Sequence, residues 1–188
     1  MKYITLIIFY CTALINAQVA IGKPAVSNAS VSLEFGNTYT ITPVSNTQPK
    51  GLILPWVNGT SNISPFITGS SVTETVQNGT LVYDSNDKKV KVKYASGWKD
   101  LSVSTGSVNT ALQDALNDLS GTKLSIGTPT STPGILVLED TNKAMVLPKV
   151  ASPHLNIINP DPGMIVYDAV KKQLVIYNGT YWTFWAAS

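Results

Sequence analysis

The chain has 188 residues and is nearly balanced in charge, with 13 basic against 11 acidic side chains and a formal net charge of +2. All the basic residues are lysines, which argues against nucleic acid as a partner, because arginine is the main side chain that reads bases and phosphates. The only cysteine lies in the N-terminal apolar run, which is expected to be cleaved off, and there is a single histidine, so nucleophilic triads and histidine-based metal sites have almost no parts. The composition therefore predicts a protein that is not an enzyme, with no catalytic residues, no metal and no cofactor.

The N-terminal residues have the features of a secretory signal peptide. A lysine precedes an apolar run, Tyr3–Ile15, which is short for a membrane span and leads to the small residue Ala17. We expect cleavage after Ala17 and export of residues 18–188, to the cell surface, the medium or the periplasm, with no transmembrane segment in the exported part. Lipidation at Cys11 is the alternative, although the bulky residues before it make a poor lipidation motif.

Three sequence blocks occur twice in the same order. The clearest is GTLVYDSNDKKVKVKYASGW at 79–98, which returns at 163–182 as GMIVYDAVKKQLVIYNGTYW, with six of twenty positions identical at an offset of 84. KGLILP at 50–55 returns as KAMVLP at 143–148, at an offset of 93. The first block, VAIG followed by LE within 19–34, returns within 124–139 at an offset of 105.

The falling offsets indicate that the first copy carries two insertions, in the Ser-, Thr-, Asn- and Pro-rich stretches 36–49 and 58–78, where we expect loops. The predicted domain organisation is a signal peptide at 1–17, a first β repeat at 18–104, a helical connector at 105–122 and a second β repeat at 123–188.

The third block predicts a three-stranded β-meander in each copy, because short β-rich runs are separated by turn residues such as Asn178-Gly179. The predicted strands are Leu81–Tyr83, Lys89–Tyr94 and Trp98–Val103 in the first copy, and Met164–Tyr167, Leu174–Tyr177 and Thr180–Trp185 in the second.

The middle strands of the two meanders differ in pattern. In Lys89–Tyr94, valine and tyrosine alternate with lysine, which predicts one buried and one solvated face. In Leu174–Tyr177 the alternation is lost, so this strand is predicted to be covered on both faces.

A short helix is predicted between the repeats, at Thr110–Leu119. Thr110 and Gln113 have the spacing of a capping box, and Gly121 can end the helix. Apolar residues at 108, 112, 115 and 119 follow a coiled-coil rhythm, but a helix this short is marginal alone. It is expected either to pack on the β-structure or to associate with copies of itself.

The repeated blocks resemble a repeat of tail-fibre-like and secreted surface proteins of Bacteroidota-type bacteria and their phages. There the pattern runs approximately IG…LE, KGLLLPR and GLLVYN…LEYYNGTSWV, and here it reads KGLILPWV with GTLVYD…YASGW, then KAMVLPKV with GMIVYD…YNGTYW. The resemblance implies an exported, β-rich, trimeric fibre or adhesin-like element without catalytic residues. In the pattern, a basic residue follows the proline. This position is Trp56 in the first copy and Lys149 in the second, so the first copy departs from the pattern.

Aromatic residues are the candidates for ligand binding, because their faces stack on sugars and anchor protein partners. Tyr181 and Phe184 have no aromatic counterpart in the first copy, and Trp56 and Phe66 lie in or beside its individual segments. These four are the candidate binding residues, with packing at a subunit interface as the alternative. The positions that the repeat assigns to the scaffold are Tyr83, Trp98, Tyr167 and Trp182.

The carboxylates are expected to serve structure. Asp84 and its counterpart Asp168 each end a strand and open a turn, where aspartate caps its own backbone. Calcium binding in the loop after Asp84 is the alternative, and Lys88 argues against it. His154 is interpreted as an exposed loop histidine.

The sequence thus predicts a mainly β protein with two copies of a small meander and a short central helix, intertwined in a homotrimer. Each meander is too small to cover both of its faces, so neighbouring chains are expected to do so. The expected function is that of an exported structural or adhesin-like surface element. The alternatives are a monomeric carbohydrate-binding module and an accessory subunit of an outer-membrane complex, with a surface glycan or an envelope protein as partner.

Overall fold

A computed structural model describes residues 18–36, 49–60, 76–111, 113–116, 122–129, 131–132 and 134–186 of the chain. The predicted signal peptide, most of both insertions and Phe66 lie outside these residues. The elements of the N-terminal half are β1 (Val19–Ile21), β2 (Val31–Phe35), β3 (Leu52–Ile53), β4 (Trp56–Val57), β5 (Leu81–Asp84), β6 (Lys89–Tyr94) and β7 (Gly97–Asp100). Those of the C-terminal half are β8 (Leu124–Gly127), β9 (Leu136–Glu139), β10 (Ala144–Val146), β11 (Lys149–Val150), α1 (Pro153–Asn156), β12 (Met164–Asp168), β13 (Gln173–Tyr177) and β14 (Trp182–Trp185).

The chain is mainly β, as the sequence predicts, and two of its sheets have the same pairing pattern. One has the order β4-β5-β6-β7 and the other β11-β12-β13-β14. In each, the first pair is parallel and two antiparallel hairpins follow. Trp56 lies opposite Tyr83 in the first sheet and Lys149 opposite Tyr167 in the second. All six predicted meander strands form, with ends that differ by a few residues.

The second of these sheets also holds a strand from the N-terminal half of the chain. Strand β3 runs antiparallel to β12, with Leu52 opposite Ile165 and Ile53 opposite Met164. Gly51, just before β3, is packed so closely on this sheet that an added Cβ would lie 2.4 Å from the Met164 side chain. The two halves are therefore joined by strand pairing as well as by side-chain packing.

The remaining strands form two small parallel sheets. Strand β2 lies between β1 and β10 and is parallel to both, so a strand of the C-terminal half completes a sheet of the N-terminal half. Strands β8 and β9 form a parallel sheet of two strands, with Leu124 opposite Leu136 and Ile126 opposite Leu138.

The apolar core has two parts, which meet at β13. Tyr83 and Val90 of one sheet pack with Ile176 of the other in the first part, and Val175 belongs to the second. Val175 and Ile176 are both fully buried, which confirms that this strand is covered on both faces. The first part also shows that the two sheets cover each other within one chain, where the sequence analysis expects neighbouring chains to cover them.

The alternation predicted for β6 is only partly correct. Val90 is fully buried as expected, but Lys91 is also buried, at 7% exposure, and Tyr94 is 49% exposed. Lys91 is inside because its ammonium group forms ion pairs with Asp84 and Asp87, which offset the cost of removing the charge from water.

The helix predicted at Thr110–Leu119 lies only partly within the described residues, and those that are described do not form a helix. Among the described residues of the segment 105–122 there are only turns, with the N–H groups of Gln113 and Asp114 donating to the carbonyl of Thr110. The short helix α1 follows β11 instead. Ala115 and Leu116, which are described, are exposed in a single chain, whereas Val108 packs against the core. No helix of the described part of the chain is long and apolar enough to span a membrane.

Tyr83 is the residue at the joint between the two sheets. Its side chain is fully buried, its ring lies 5.8 Å from that of Trp56, and its hydroxyl donates to the backbone oxygen of Asn178 at 3.1 Å. Burial raises the pKa of Tyr83 from its ordinary value of 10.0 to about 12, so the hydroxyl remains a donor into more alkaline solution than an exposed tyrosine does.

We expect Tyr83→Ala to destabilise the fold by about 3–5 kcal/mol, because it empties the space between the sheets. Tyr83→Phe keeps the ring and loses only the hydroxyl bond, so its expected cost is about 1 kcal/mol. Urea unfolding followed by far-ultraviolet circular dichroism measures both. Equal costs for the two variants would contradict a joint held mainly by the packed ring.

Candidate functional site

The carboxylate of Asp84 is fully used by the protein itself. Its Oδ1 accepts hydrogen bonds from the backbone N–H groups of Asn86 (3.0 Å) and Asp87 (3.2 Å). Its Oδ2 accepts from the N–H of Thr60 at 3.0 Å and lies 3.3 Å from the Lys91 ammonium nitrogen. The prediction that this aspartate caps its own turn is confirmed, and no oxygen is left without a protein donor.

Asp168 builds the corresponding turn in the second sheet with one oxygen. Its Oδ1 accepts from the N–H groups of Ser152 (3.2 Å), Val170 (2.9 Å) and Lys171 (3.1 Å). Its Oδ2 is buried and has no hydrogen-bond partner among the residues that the structure describes. The position that corresponds to Lys91 is Val175, so this carboxylate lacks the lysine partner of Asp84.

Burial alone would raise the pKa of Asp84, but the N–H donors of Asp87 and Thr60, together with Lys91, outweigh it and hold the pKa below its usual value of 3.8. Burial likewise opposes the charge of Lys91, whose pKa is nevertheless raised by Asp87 and Asp84. Asp84 therefore contributes stability that is complete above its unfolded-state pKa and is lost as the pH falls through its lower folded-state pKa.

The other acidic side chains with described contacts are also engaged. Lys23 hydrogen bonds to Glu34 and, with a backbone donor from Ser27, lowers the pKa of that carboxyl to about 2. Glu139 accepts a hydrogen bond from the Ser125 hydroxyl at 2.7 Å. Within the described ranges, no group of three or more His, Cys, Asp or Glu side chains is placed to hold a metal ion.

Of the four candidate binding residues, Trp56 lies at the joint between the sheets. It is half-buried, and its indole N–H donates to the backbone oxygen of Pro162 at 2.7 Å, 106 residues away in the chain. This ring contributes to the contact between the two halves. Phe66 lies outside the described residues, so its placement is not part of the structure.

Tyr181 and Phe184 lie near the C-terminal end of the second sheet and are open to solvent. Tyr181 is 54% exposed and Phe184 is 43% exposed. Phe184 packs edge-on against His154 with ring centroids 5.4 Å apart, and His154 belongs to α1 rather than to a loop. The neighbouring Trp185 is 45% exposed, although its indole N–H donates to the carbonyl of Leu101 at 2.9 Å.

The four predicted scaffold positions differ in burial. Tyr83 is fully buried, whereas Tyr167, Trp98 and Trp182 are half-buried. The ring of Trp182 packs against Tyr177 at 4.9 Å between centroids.

Asn178 has a structural role beyond the turn that its sequence predicts. It is fully buried, and its side-chain oxygen accepts from the N–H groups of Thr180 and Tyr181. Its side-chain amide donates to the carbonyl of Ser104 at 2.6 Å, which fixes the segment that follows the first sheet. Gly179 is required beside it, since its φ is +95° and a Cβ would lie 1.7 Å from the oxygen of Ser107.

A separate exposed apolar surface lies on the two-stranded sheet. Leu124 is 60% exposed, Leu136 is 38% exposed, and Ile135, just before β9, is 47% exposed. Parallel strands are normally covered on both faces, and a pair of strands is marginally stable alone. This surface is therefore a candidate for self-association.

Comparison with known proteins gives one match. A family model described as "Phage tail like trimerisation region" matches residues 125–187, which include most of the two-stranded sheet and strands β11–β14 of the second meander sheet. No curated protein and no solved structure matches the chain. The match supports self-association of this chain and relates its C-terminal part to phage tail-like structural proteins.

Substitution by asparagine is expected to destabilise the fold less at Asp168 than at Asp84. In Asp168→Asn, the remaining oxygen can keep all three N–H donors and the amide replaces the unpartnered oxygen, so we expect a cost of about 1 kcal/mol. In Asp84→Asn, the amide must face the Thr60 N–H and the Lys91 ammonium group, and we expect about 3 kcal/mol. Urea unfolding at pH 7 compares the two, and a larger cost at 168 than at 84 would contradict these roles.

Proposed function

We propose that this protein is a non-enzymatic structural protein that assembles as a homotrimer and forms a tail-fibre-like element. The observation that carries the proposal is the match of residues 125–187 to a trimerisation region of phage tail-like proteins. The proposed activity is assembly itself, with surfaces that bind copies of the chain rather than a substrate.

The exposed apolar surface within the matched part supports this proposal. Leu136 and Ile135 are solvent-exposed in a single chain, and burying such side chains is the main source of stability in permanent interfaces. A trimer would also place three copies of the segment 105–122 together. That would supply the apolar partner that Ala115 and Leu116 lack in one chain.

We further propose that the protein is exported and acts at a cell or particle surface. The support is the pattern of residues 1–17 and the resemblance of the repeated blocks to secreted surface and tail-fibre-like proteins of Bacteroidota-type bacteria and their phages. An adhesin-like role and a place as an accessory subunit of an outer-membrane complex are the finer forms of this proposal. Pull-down from the native envelope distinguishes the second form.

The mass in solution tests the central proposal. We expect residues 18–188, analysed by size-exclusion chromatography with light scattering, to have three times the mass of one chain at micromolar concentration. The trimer is expected to persist in high salt, because its contacts are apolar rather than ionic. A folded monomer at these concentrations would overturn the trimer.

Binding of a surface glycan is a second candidate function, favoured by the exposure of two aromatic residues near the C-terminal end of the second sheet, Tyr181 and Phe184. If they stack on sugar rings, Tyr181→Ala and Phe184→Ala should abolish glycan-array binding and keep the fold. The matched control is Tyr94→Ala, because Tyr94 is similarly exposed, at 49%, on the other meander sheet. Unchanged binding by a folded Tyr181/Phe184 double variant would exclude this site.

A further inference from the structure

In the described part of the chain, the two small parallel sheets differ in their number of strands. Strand β2 has a parallel neighbour on each edge, β1 and β10. Strand β9 has β8 on one edge and, among the described residues, no strand on the other. At the offset of 105, Leu33-Glu34 of β2 correspond to Leu138-Glu139 of β9. The free edge of β9 thus corresponds to the edge of β2 that β10 occupies.

The segment that corresponds to β10 is 51–53, which contains β3. At the offset of 93, Ala144–Val146 correspond to residues 51–53, and both segments precede a Leu-Pro pair. One edge of β3 is held on β12, and the N–H of Leu54 continues this contact by donating to the oxygen of Gly163 at 3.1 Å. In the described part of the chain, no strand pairs with its other edge. Among the residues that the structure describes, β3 therefore has one edge without a strand neighbour, and β9 has another, at Leu136 and Leu138.

Both strands line the same apolar groove, which has a volume of about 650 Å³. Leu52 and Ile53 lie in its wall with Leu136 and Leu138, and Met145 of β10 also contributes. Ile53 is 44% exposed and Leu136 is 38% exposed, so the groove is open to solvent. An apolar groove lined by unpaired strand edges is suited to bind a further strand by backbone hydrogen bonding.

We propose that this groove is the assembly site, at which residues 51–53 of one chain pair in parallel with β9 of a second copy of the chain. The inference rests on the proposed homotrimer and specifies its contact. The β10–β2 pairing sets the register, because Ala144, Met145 and Val146 lie opposite Val31, Leu33 and Glu34. The corresponding register places Gly51 opposite Leu136, Leu52 opposite Leu138, and Ile53 opposite Glu139.

A second copy is the occupant because the chain keeps its own β3 away from its own β9. The groove separates the two strands, and β3 is fixed on the opposite side by β12 and by the close packing of Gly51 on Met164. Pairing between two different edges is heterologous, so each chain gives one edge and receives another. Such contacts close into a ring or continue as a filament, and the trimerisation match, which includes β9, favours a closed ring of three chains.

Disulfide cross-linking tests the pairing without interference, because Cys11 is the only native cysteine and can be replaced by serine. We would co-express two chains, one with Leu52→Cys and one with Leu138→Cys, so that a disulfide between positions 52 and 138 can form only between chains. Directly paired strand residues are about 4.8 Å apart, within the range that a disulfide bridges. Under mild oxidation we expect a band at twice the mass of one chain, which is lost on reduction.

The control variants test which residues are paired and whether the pairing joins two different chains. Each cysteine variant expressed alone should give no covalent dimer, and Leu52→Cys with Val137→Cys should give little, since neighbouring side chains point to opposite faces of a strand. A trimer by mass that shows no Leu52–Leu138 cross-link would overturn this inference and leave the proposed function intact. A monomer would overturn both. An intrachain disulfide, formed in the Leu52→Cys/Leu138→Cys double variant in place of interchain ones, would overturn the second copy as occupant.

A charge in the groove provides a second test that does not depend on disulfide geometry. Leu136→Lys is expected to shift the mass from three chains to one, because the lysine places a charge at an edge that must pair. Val170→Lys is the matched control, since Val170 is 58% exposed in the turn between β12 and β13. A Leu136→Lys protein that is still trimeric at the concentration where the parent is trimeric would contradict the proposed pairing.

Discussion

The packing of Tyr83 between the two meander sheets is the contact on which the rest of the structure depends. Its ring lies in the first part of the core with Val90 and Ile176, and its hydroxyl satisfies the backbone oxygen of Asn178. Asn178 in turn binds the carbonyl of Ser104, in the segment that leaves the first sheet. One buried side chain therefore joins both sheets and their connection. Burial raises the pKa of its hydroxyl to about 12, which extends the pH range over which this hydrogen bond is kept.

The two aspartate turns have the same local hydrogen bonds but different surroundings. Asp84 and Asp168 both end a strand and bind the N–H groups of the residues two and three positions later. At the first turn, Lys91 of the following strand forms an ion pair with Asp84, so this strand places a charged side chain in a buried position. The second has Val175 at that position, and its strand is apolar on both faces. Oδ2 of Asp168 has neither a lysine nor a backbone donor among the described residues, because the N–H of Ser152 donates to Oδ1 instead. An apolar residue at position 175 allows β13 to lie between the two parts of the core.

Local sequence patterns predict the strands and turns. The features that they do not predict depend on contacts between residues that are distant in the sequence or on ion pairs. The strand at 164–168 and the turn at Asp168 depend on near neighbours, so the sequence contains their signal. The indole of Trp56 binds Pro162, 106 residues away, and the sequence carries no sign of that contact. Alternation placed Lys91 on a solvated face, because a period of two does not include ion pairs. In the segment predicted as a helix, the described residues from Thr110 to Leu116 form turns, and Ala115 and Leu116 are exposed in a single chain.

In the described part of the chain, β3 and β9 each have one edge without a strand neighbour, and these edges connect the fold of one chain to its proposed assembly. An unpaired strand edge beside an apolar groove invites any extended chain, and natural proteins usually protect such edges. Here β3 carries one exposed apolar side chain, Ile53, and β9 carries another, Leu136, so the two edges are similar in chemistry and different in position. Contacts between different edges either close into a ring or continue as a filament. A match to a trimerisation region favours closure at three chains, which would protect every such edge at once.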